Sequence, residues 1–317
     1  MSNEPFPPLP LHHTQGMPGL ARSRDGRELF YQELRGPTAS NDPVVVFESG
    51  LAASRSFWGL VQPLVGQWTR AVAYDRSGLG RSPPDSQPRM IGRMAADLND
   101  LLDHLGPGPF VLVAHSGGGP IVRAATAACP GRIAGLVLVD ASDEACSMVF
   151  GKSFVFLEKA AHAVSWLLAR LGLLEACYRK PVAPLPPDVR DDLNREGFTM
   201  AVMRTRAAEL AGLRGALETF RTHPPELPDV PVTVISGALA DFGMSQRIRD
   251  AANVAHRHRA AQSRQGRYVI AKQSGHAVIL TEPTQVAEEI HRVLELTTRK
   301  MGKTNTGTTE RKDSTPC

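Results

Sequence analysis

Seven short runs of apolar and β-branched residues punctuate the chain. "ELFYQEL" (28–34) alternates in the manner of an antiparallel strand. "PVVVFES" (43–49), "RAVAYD" (70–75), "FVLVAH" (110–115), "AGLVLVD" (134–140), "VPVTVIS" (230–236) and "RYVIAK" (267–272) are continuous, the pattern of strands buried on both faces. Helical periodicity fills most of the intervals. In 90–106, Ile91, Met94, Leu98, Leu101, Leu102 and Leu105 recur at helical spacing, and 120–129, 245–263 and 283–297 read the same way. Strands alternating with helices predict a mostly parallel sheet covered by helices on both faces. The alternation lapses between about 145 and 225, where helical stretches surround the Pro-rich break "KPVAPLPPD" (180–188).

These patterns divide the 317 residues into a Pro-rich, disordered leader (1–19), a core (20–144 and 226–298), a helical insertion (145–225) and a polar, disordered tail (299–317). The tail holds five of the Lys and Arg residues behind the net charge of +4. The other cations are dispersed, with no basic stripe and no interleaved aromatics, so nucleic-acid binding is not expected. The four cysteines show neither CxxC pairing nor metal-ligand spacing; no disulfide framework is expected, and the pattern fits a reducing, cytoplasmic compartment. The leader lacks the basic and apolar regions of a signal peptide, and His12–His13 reads as part of it, not as a metal site. The most apolar segment, 153–178, is interrupted by Glu158, Lys159, His162, Arg170 and Glu175, whereas a spanning helix needs about 20 mostly apolar residues. Amphipathic helices are the better reading; lipid contact through this insertion is the weaker alternative.

One turn carries chemistry. "AHSGGG" (114–119) follows a buried strand and precedes a helix, close to the G-x-S-x-G pattern that holds a serine hydroxyl above a sheet. The strand and helix flanking such a serine cross so closely that the positions two before and two after it must be small. Here they are Ala114 and Gly118, with alanine in place of the usual first glycine. A phosphate-binding turn would need G-x-G-x-x-G, but Val122 stands at the third glycine, and the Gly-Lys-Ser/Thr of a Walker loop is missing. Three more segments bear on the turn: "FESGLAAS" (47–54), the Gly-rich connection "AYDRSGLGRSPP" (73–84), and "SGHAVILTEP" (274–283) with a histidine just after the last strand.

"ESGL", "DRSGLGRS", "AHSGGG" and "SGH", in that order and with these separations, resemble the α/β-hydrolase superfamily over roughly residues 20–298. The resemblance implies an eight-stranded, mostly parallel sheet with a helical cap inserted after the sixth strand. It implies Ser116 as nucleophile, His276 as general base, and the backbone N–H groups of Leu51 and Gly117 as oxyanion hole. The family's usual His-Gly at the oxyanion loop is Ser49-Gly50 here. Two residues compete for the triad acid. Asp241 lies just past the seventh strand, the usual family position, although four residues after Gly237 where three is commoner. Asp140 ends the sixth strand, from which some branches take their acid. The reading favours Asp241 and keeps Asp140 as the alternative.

The expected function is hydrolysis of an ester, thioester, amide or lactone of a small, apolar substrate through an acyl-enzyme. The triad itself supplies nucleophile, base and electrostatic stabilisation, so no cofactor and no metal are implied. Serine at 116 disfavours the epoxide hydrolases and dehalogenases of the superfamily, which attack with aspartate. C–C bond hydrolysis, cofactor-free haloperoxidase or perhydrolase activity, and a non-catalytic binding protein on the same fold are the alternatives. Phe154, Phe156, Trp166, Leu167, Leu171 and Leu174 are candidates for an apolar substrate wall or for cap packing. Asp75 and Arg76 read as braces of their turn, His115 as a local hydrogen-bonding residue, and His104, His256, His258 and His291 as solvated helix residues.

Overall fold

The computed structural model describes residues 12–37, 42–241 and 244–305, with 300–305 by backbone alone. Expectations concerning 1–11 and 306–317 lie outside the described residues. The chain begins with β1 (Met17–Arg22) and β2 (Glu28–Leu34), antiparallel, with Leu20 opposite Phe30. β3 (Val44–Glu48), a short helix α1 (Gln62–Val65) and β4 (Ala71–Tyr74) follow. Then come α2 (Ile91–Leu105), β5 (Phe110–His115), α3 (Gly118–Ala128) and β6 (Ile133–Val139). Four helices run next with no strand between them: α4 (Lys152–Arg170), α5 (Leu174–Val182), α6 (Pro187–Glu196) and α7 (Met200–Phe220). β7 (Val232–Gly237), α8 (Gln246–Ala261), β8 (Gly266–Ala271), α9 (Val278–Thr281) and α10 (Pro283–Asn305) complete the order.

The eight strands form one sheet in the order β1-β2-β4-β3-β5-β6-β7-β8. β1, β2 and β4 pair antiparallel; from β4 to β8 every pairing is parallel. Side chains alternate between faces along each strand. Val46, Leu112, Leu136 and Val234 join Met94 and Leu98 of α2 and Ile121 of α3 in one buried cluster. Their neighbours Val45, Val111, Val137 and Ile235 join Ile290 and Val293 of α10 in another. Both faces are therefore dry, which explains why these strands read as unbroken apolar runs.

Register sets the position of the site. Glu48 pairs with Ala114, His115 with Val139, and Gly237 with Ala271, so the loops after β3, β5, β6, β7 and β8 leave one end of the sheet together. The sheet grows in opposite directions from β3, to β4 on one side and to β5 on the other. A crevice opens at such a switch point in open parallel sheets.

Several expectations need correction. The pattern of apolar runs missed β1, because "MPGLAR" is an edge strand whose residues are mostly exposed, a place where Pro is tolerated. The leader was expected to reach residue 19, yet residues 12–19 are placed. His13 and Gln15 are buried, Thr14 Oγ1 donates to Asp188 Oδ1 (2.9 Å), and Gln15 Nε2 donates to Gln62 Oε1 (2.8 Å). The last helix passes the expected boundary at 298 and ends at Asn305. His256 was read as solvated but is buried: its Nε2–H donates to the Ala141 carbonyl (2.7 Å), and Nδ1 lies 2.6 Å from Ser236 Oγ. Cys146 and Cys177 are free thiols, whereas Cys129 is disulfide-bonded. Among the described residues no helix is long and apolar enough to cross a membrane, and no cluster of His, Cys, Asp and Glu forms a metal site.

Candidate active site

Ser116 stands between the end of β5 and the start of α3 with φ +53°, a left-handed conformation that L-residues adopt at a cost of order 1–3 kcal/mol. Its neighbours over-determine this turn. The Ser116 N–H donates to the Val139 carbonyl (3.1 Å), and the Ser116 carbonyl accepts from the N–H groups of Gly119 (3.1 Å) and Ser142 (2.8 Å). A Cβ at Gly118 would stand 2.7 Å from the Ser49 carbonyl oxygen, and one at Gly119 would stand 2.6 Å from Ala141 Cβ. The small residues therefore admit the close passage of α3 past the ends of β3 and β6.

His276 lies in the loop after β8 and faces Ser116 from across the end of the sheet. Its Nε2 is 2.9 Å from Ser116 Oγ, and its Nδ1 is 2.7 Å from Asp140 Oδ2. An ionised carboxylate only accepts, so Nδ1–H donates to Asp140 and Nε2 is left to accept the serine proton. Asp140 is buried, while the imidazole remains 38% exposed, open to a substrate.

The favoured acid, Asp241, does not make this contact. It sits in an exposed loop, bridged to Met244, and its Oδ2 accepts the backbone N–H of His276 (3.2 Å). It thus holds the histidine's main chain, with Gly275 packed so tightly on it that a Cβ there would stand 2.6 Å from Asp241 Oδ2. The alternative, Asp140, reaches the imidazole because it follows β6, the strand beside the serine's own. Its φ of +43° accompanies a sharp turn at the strand end, and its N–H donates to the Ile235 carbonyl (2.7 Å).

The other Asp140 oxygen is held from behind. Oδ1 accepts from Arg249 Nη1 (2.5 Å) and from the Gly237 N–H (3.1 Å). Burial alone would raise the Asp140 carboxyl, but the hydrogen bond and charge of His276, with His256 and Arg249, hold it well below the usual carboxylate range. Arg249, Asn253 and His256 occupy one face of α8; Asn253 Nδ2 donates to the Gly237 carbonyl (3.0 Å). Polar residues at i, i+4 and i+7 on a helix that covers a sheet are the sequence signal for this support. His115 supports the imidazole from the other side. Its Nε2–H donates to the His276 carbonyl (2.9 Å), and the two rings lie 4.8 Å apart. Burial, assisted by the charge of His276, pushes His115 down to about 4, so it is neutral near pH 7.

The loop after β3 is braced by buried charges. Arg76 donates to the carbonyls of Ser49 (2.7 Å) and Gly50 (2.7 Å) and pairs with Glu48 and Glu209. In a trans peptide unit the C=O and N–H point opposite ways. With the Gly50 carbonyl turned to Arg76, the Leu51 N–H faces away from it. Gly117 lies directly against Leu51: a Cβ there would stand 2.6 Å from Leu51 Cγ. Glu209 comes from α7 and also accepts the Ala52 N–H (3.0 Å), a contact that sequence reasoning missed because it joins residues 157 positions apart. Burial pushes the Glu48 carboxyl up despite Arg76 and the Tyr74 hydroxyl. Arg55, fully buried, links the neighbouring turn to the cap through Asp75 (2.6 Å), Asp192 (2.6 Å) and Glu196 (2.7 Å). Asp75 and Arg76 therefore brace their turns.

Above these groups lies a cavity of about 460 Å³ bounded by Ser116, His276 and the cap. Of the expected apolar wall, Phe154 and Leu174 line it. Phe156, Trp166, Leu167 and Leu171 do not; they are exposed. Their place is taken by residues of α7, including Met203, Leu210 and Leu213.

Residues 45–289 match the profile of the alpha/beta hydrolase family. The chain belongs to this family. A protein of Gibberella zeae described as an AB hydrolase superfamily protein is 27% identical over 84% of this chain and 91% of its own length. A Variovorax paradoxus protein described as a candidate carbamate hydrolase, RutD, is 33% identical over 70% of this chain and 83% of its own. Among solved structures, a thermophilic esterase from Thermogutta terrifontis superposes with a TM-score of 0.62 at 20% identity, covering 89% of this chain and 99% of that one. At that identity the likeness speaks for the fold alone.

Proposed function

We propose that this alpha/beta hydrolase is a serine hydrolase that cleaves an acyl bond of a small substrate, of the ester, thioester, amide or lactone type, through a covalent acyl-enzyme. The observation that carries the reading is the single imidazole of His276 reaching both Ser116 Oγ (2.9 Å) and Asp140 Oδ2 (2.7 Å).

In this reading His276 Nε2 accepts the Ser116 proton as Oγ attacks the acyl carbon. The forming imidazolium is stabilised by Asp140, whose ionised form the surrounding groups favour. The Leu51 and Gly117 N–H groups receive the oxyanion, and α3 directs its positive end to the same place. The tetrahedral adduct collapses, the bond to the leaving group breaks, and His276 returns the proton to that group. Water then gives a proton to His276, attacks the acyl-enzyme and releases the acid with Ser116 restored. The mostly apolar cavity wall suits a hydrocarbon acyl or leaving group.

A fluorophosphonate probe should label wild type at Ser116, and 4-nitrophenyl esters should be turned over. Ser116→Ala should lose both. Turnover that survives in Ser116→Ala would remove the reading.

A further inference from the structure

The cavity face of α7 carries Met203, Arg206, Leu210, Leu213, Arg214 and Leu217, an apolar stripe with two arginines in it. The carboxylates that line the cavity are matched by cations. Asp140 has His276 and Arg249, Asp143 has Arg259 (2.7 Å), and Glu158 has Arg214. Arg206 has no carboxylate partner among the described residues. Its Nη1 donates to His162 Nδ1 (2.8 Å). A guanidinium has only donors, so His162 accepts and is neutral at that nitrogen. Burial and the Arg206 charge both push His162 down, in line with that neutral form. The cavity wall thus presents one cation, anchored by a neutral acceptor, whose charge nothing in the wall balances.

We propose that Arg206 receives a carboxylate on the substrate, so that the enzyme acts on an acyl compound with a free acid at the end remote from the scissile carbonyl, such as the half-ester of a dicarboxylic acid. This rests on the serine hydrolase reading above. A half-buried cation on an apolar wall lacks a counter-charge until a ligand brings one, and an arginine–carboxylate pair forms two parallel hydrogen bonds. A single uncompensated cation matches a monoanion.

The test compares mono-4-nitrophenyl succinate, glutarate and adipate with neutral 4-nitrophenyl esters of equal acyl length. The ratio of kcat/KM, acid over neutral, should be about tenfold or more in wild type for at least one length, mainly through KM. It should fall to about one in Arg206→Gln and be partly kept in Arg206→Lys. A ratio of one or less at every length, or a ratio unchanged in Arg206→Gln, overturns the proposal. If neither series is turned over and the fluorophosphonate does not label, the hydrolase reading has failed instead. Calorimetric binding of hexanoate against hexanamide then decides: hexanoate binding no tighter than hexanamide, or equally tight in Arg206→Gln, overturns the carboxylate site without reference to turnover.

Discussion

Arg249 donates a 2.5 Å hydrogen bond to the carboxylate oxygen of Asp140 that His276 does not use. The guanidinium and the carboxylate are both buried, so the pair replaces lost hydration with a contact at each end. Removing the guanidinium takes away the buried cation beside Asp140 and leaves the carboxylate with His276 and the Gly237 N–H. Arg249→Met is expected to lower unfolding free energy by about 3–5 kcal/mol, read by urea denaturation. Arg249→Lys keeps the charge and should recover part of the loss. Equal stability of Arg249→Met and wild type would show that the pair contributes nothing net.

The two candidate acids make opposite predictions. Asp140→Asn removes the acceptor of the Nδ1–H and the charge beside the imidazolium, and kcat should fall by about 10³–10⁴. Asp241→Asn leaves a side-chain oxygen for the His276 N–H and touches no ring nitrogen. Its kcat should stay within about tenfold of wild type, since a neutral acceptor replaces a charged one in an exposed loop. Steady-state kinetics on both variants checks the assignment; a larger loss in Asp241→Asn would reverse it.

The difference between these two aspartates marks how far the sequence could be read. Ser116 and its glycines were legible because a strained turn between strand and helix needs small residues at neighbouring positions, and neighbours are visible in a sequence. The parallel core was legible because burial on both faces leaves unbroken apolar runs. Asp140 and Asp241 both follow strands that end at the same edge, and only the direction of each turn decides which carboxylate meets the imidazole. That direction depends on contacts with Ile235, Gly237 and Arg249, far away in the chain. Glu209 was missed for the same reason, His256 because its helix reads as a solvated basic face, and β1 because an exposed edge strand carries little apolar signal.

His115 gives the fold an acid-sensitive contact. Its ordinary value of 6.5 is pushed down to about 4 by burial and by the charge of His276. The unfolded chain therefore binds a proton between these values while the folded protein does not, and stability rises with pH across that window. Acidification from about 6.5 to about 4 should cost up to about 3 kcal/mol from this residue. His115→Gln should flatten that part of the curve in urea titrations at pH 4.5 and 7.5. An unchanged slope would assign the acid sensitivity to other groups.

Gly118 tests the crossing of α3 over β3. An added Cβ would meet the Ser49 carbonyl oxygen at 2.7 Å and Glu48 Cγ at 2.9 Å, and the first of these is backbone that cannot rotate away. Gly118→Ala should lose about 1–3 kcal/mol of stability, as overpacked sites do. It should also slow fluorophosphonate labelling, because the displaced segment leads straight into the Leu51 loop. Normal labelling in a destabilised Gly118→Ala protein would separate packing from oxyanion-loop geometry.

In the proposed mechanism, Glu209 makes the cap part of the oxyanion loop. One carboxylate from α7 accepts the Ala52 N–H and pairs with the arginine that holds the Ser49 and Gly50 carbonyls. Glu209→Gln keeps an acceptor but withdraws the charge opposite Arg76, leaving Glu48 as its remaining carboxylate. The loop should loosen without losing its fold. Removing one oxyanion donor outright costs about 10²–10³ in kcat, so a donor that is only misplaced should cost less, about 10–100-fold. The loss should fall on kcat with KM little changed, because oxyanion contacts strengthen in the transition state. A Glu209→Gln variant that changes KM alone would mean the residue shapes the cavity and does not set the Leu51 N–H.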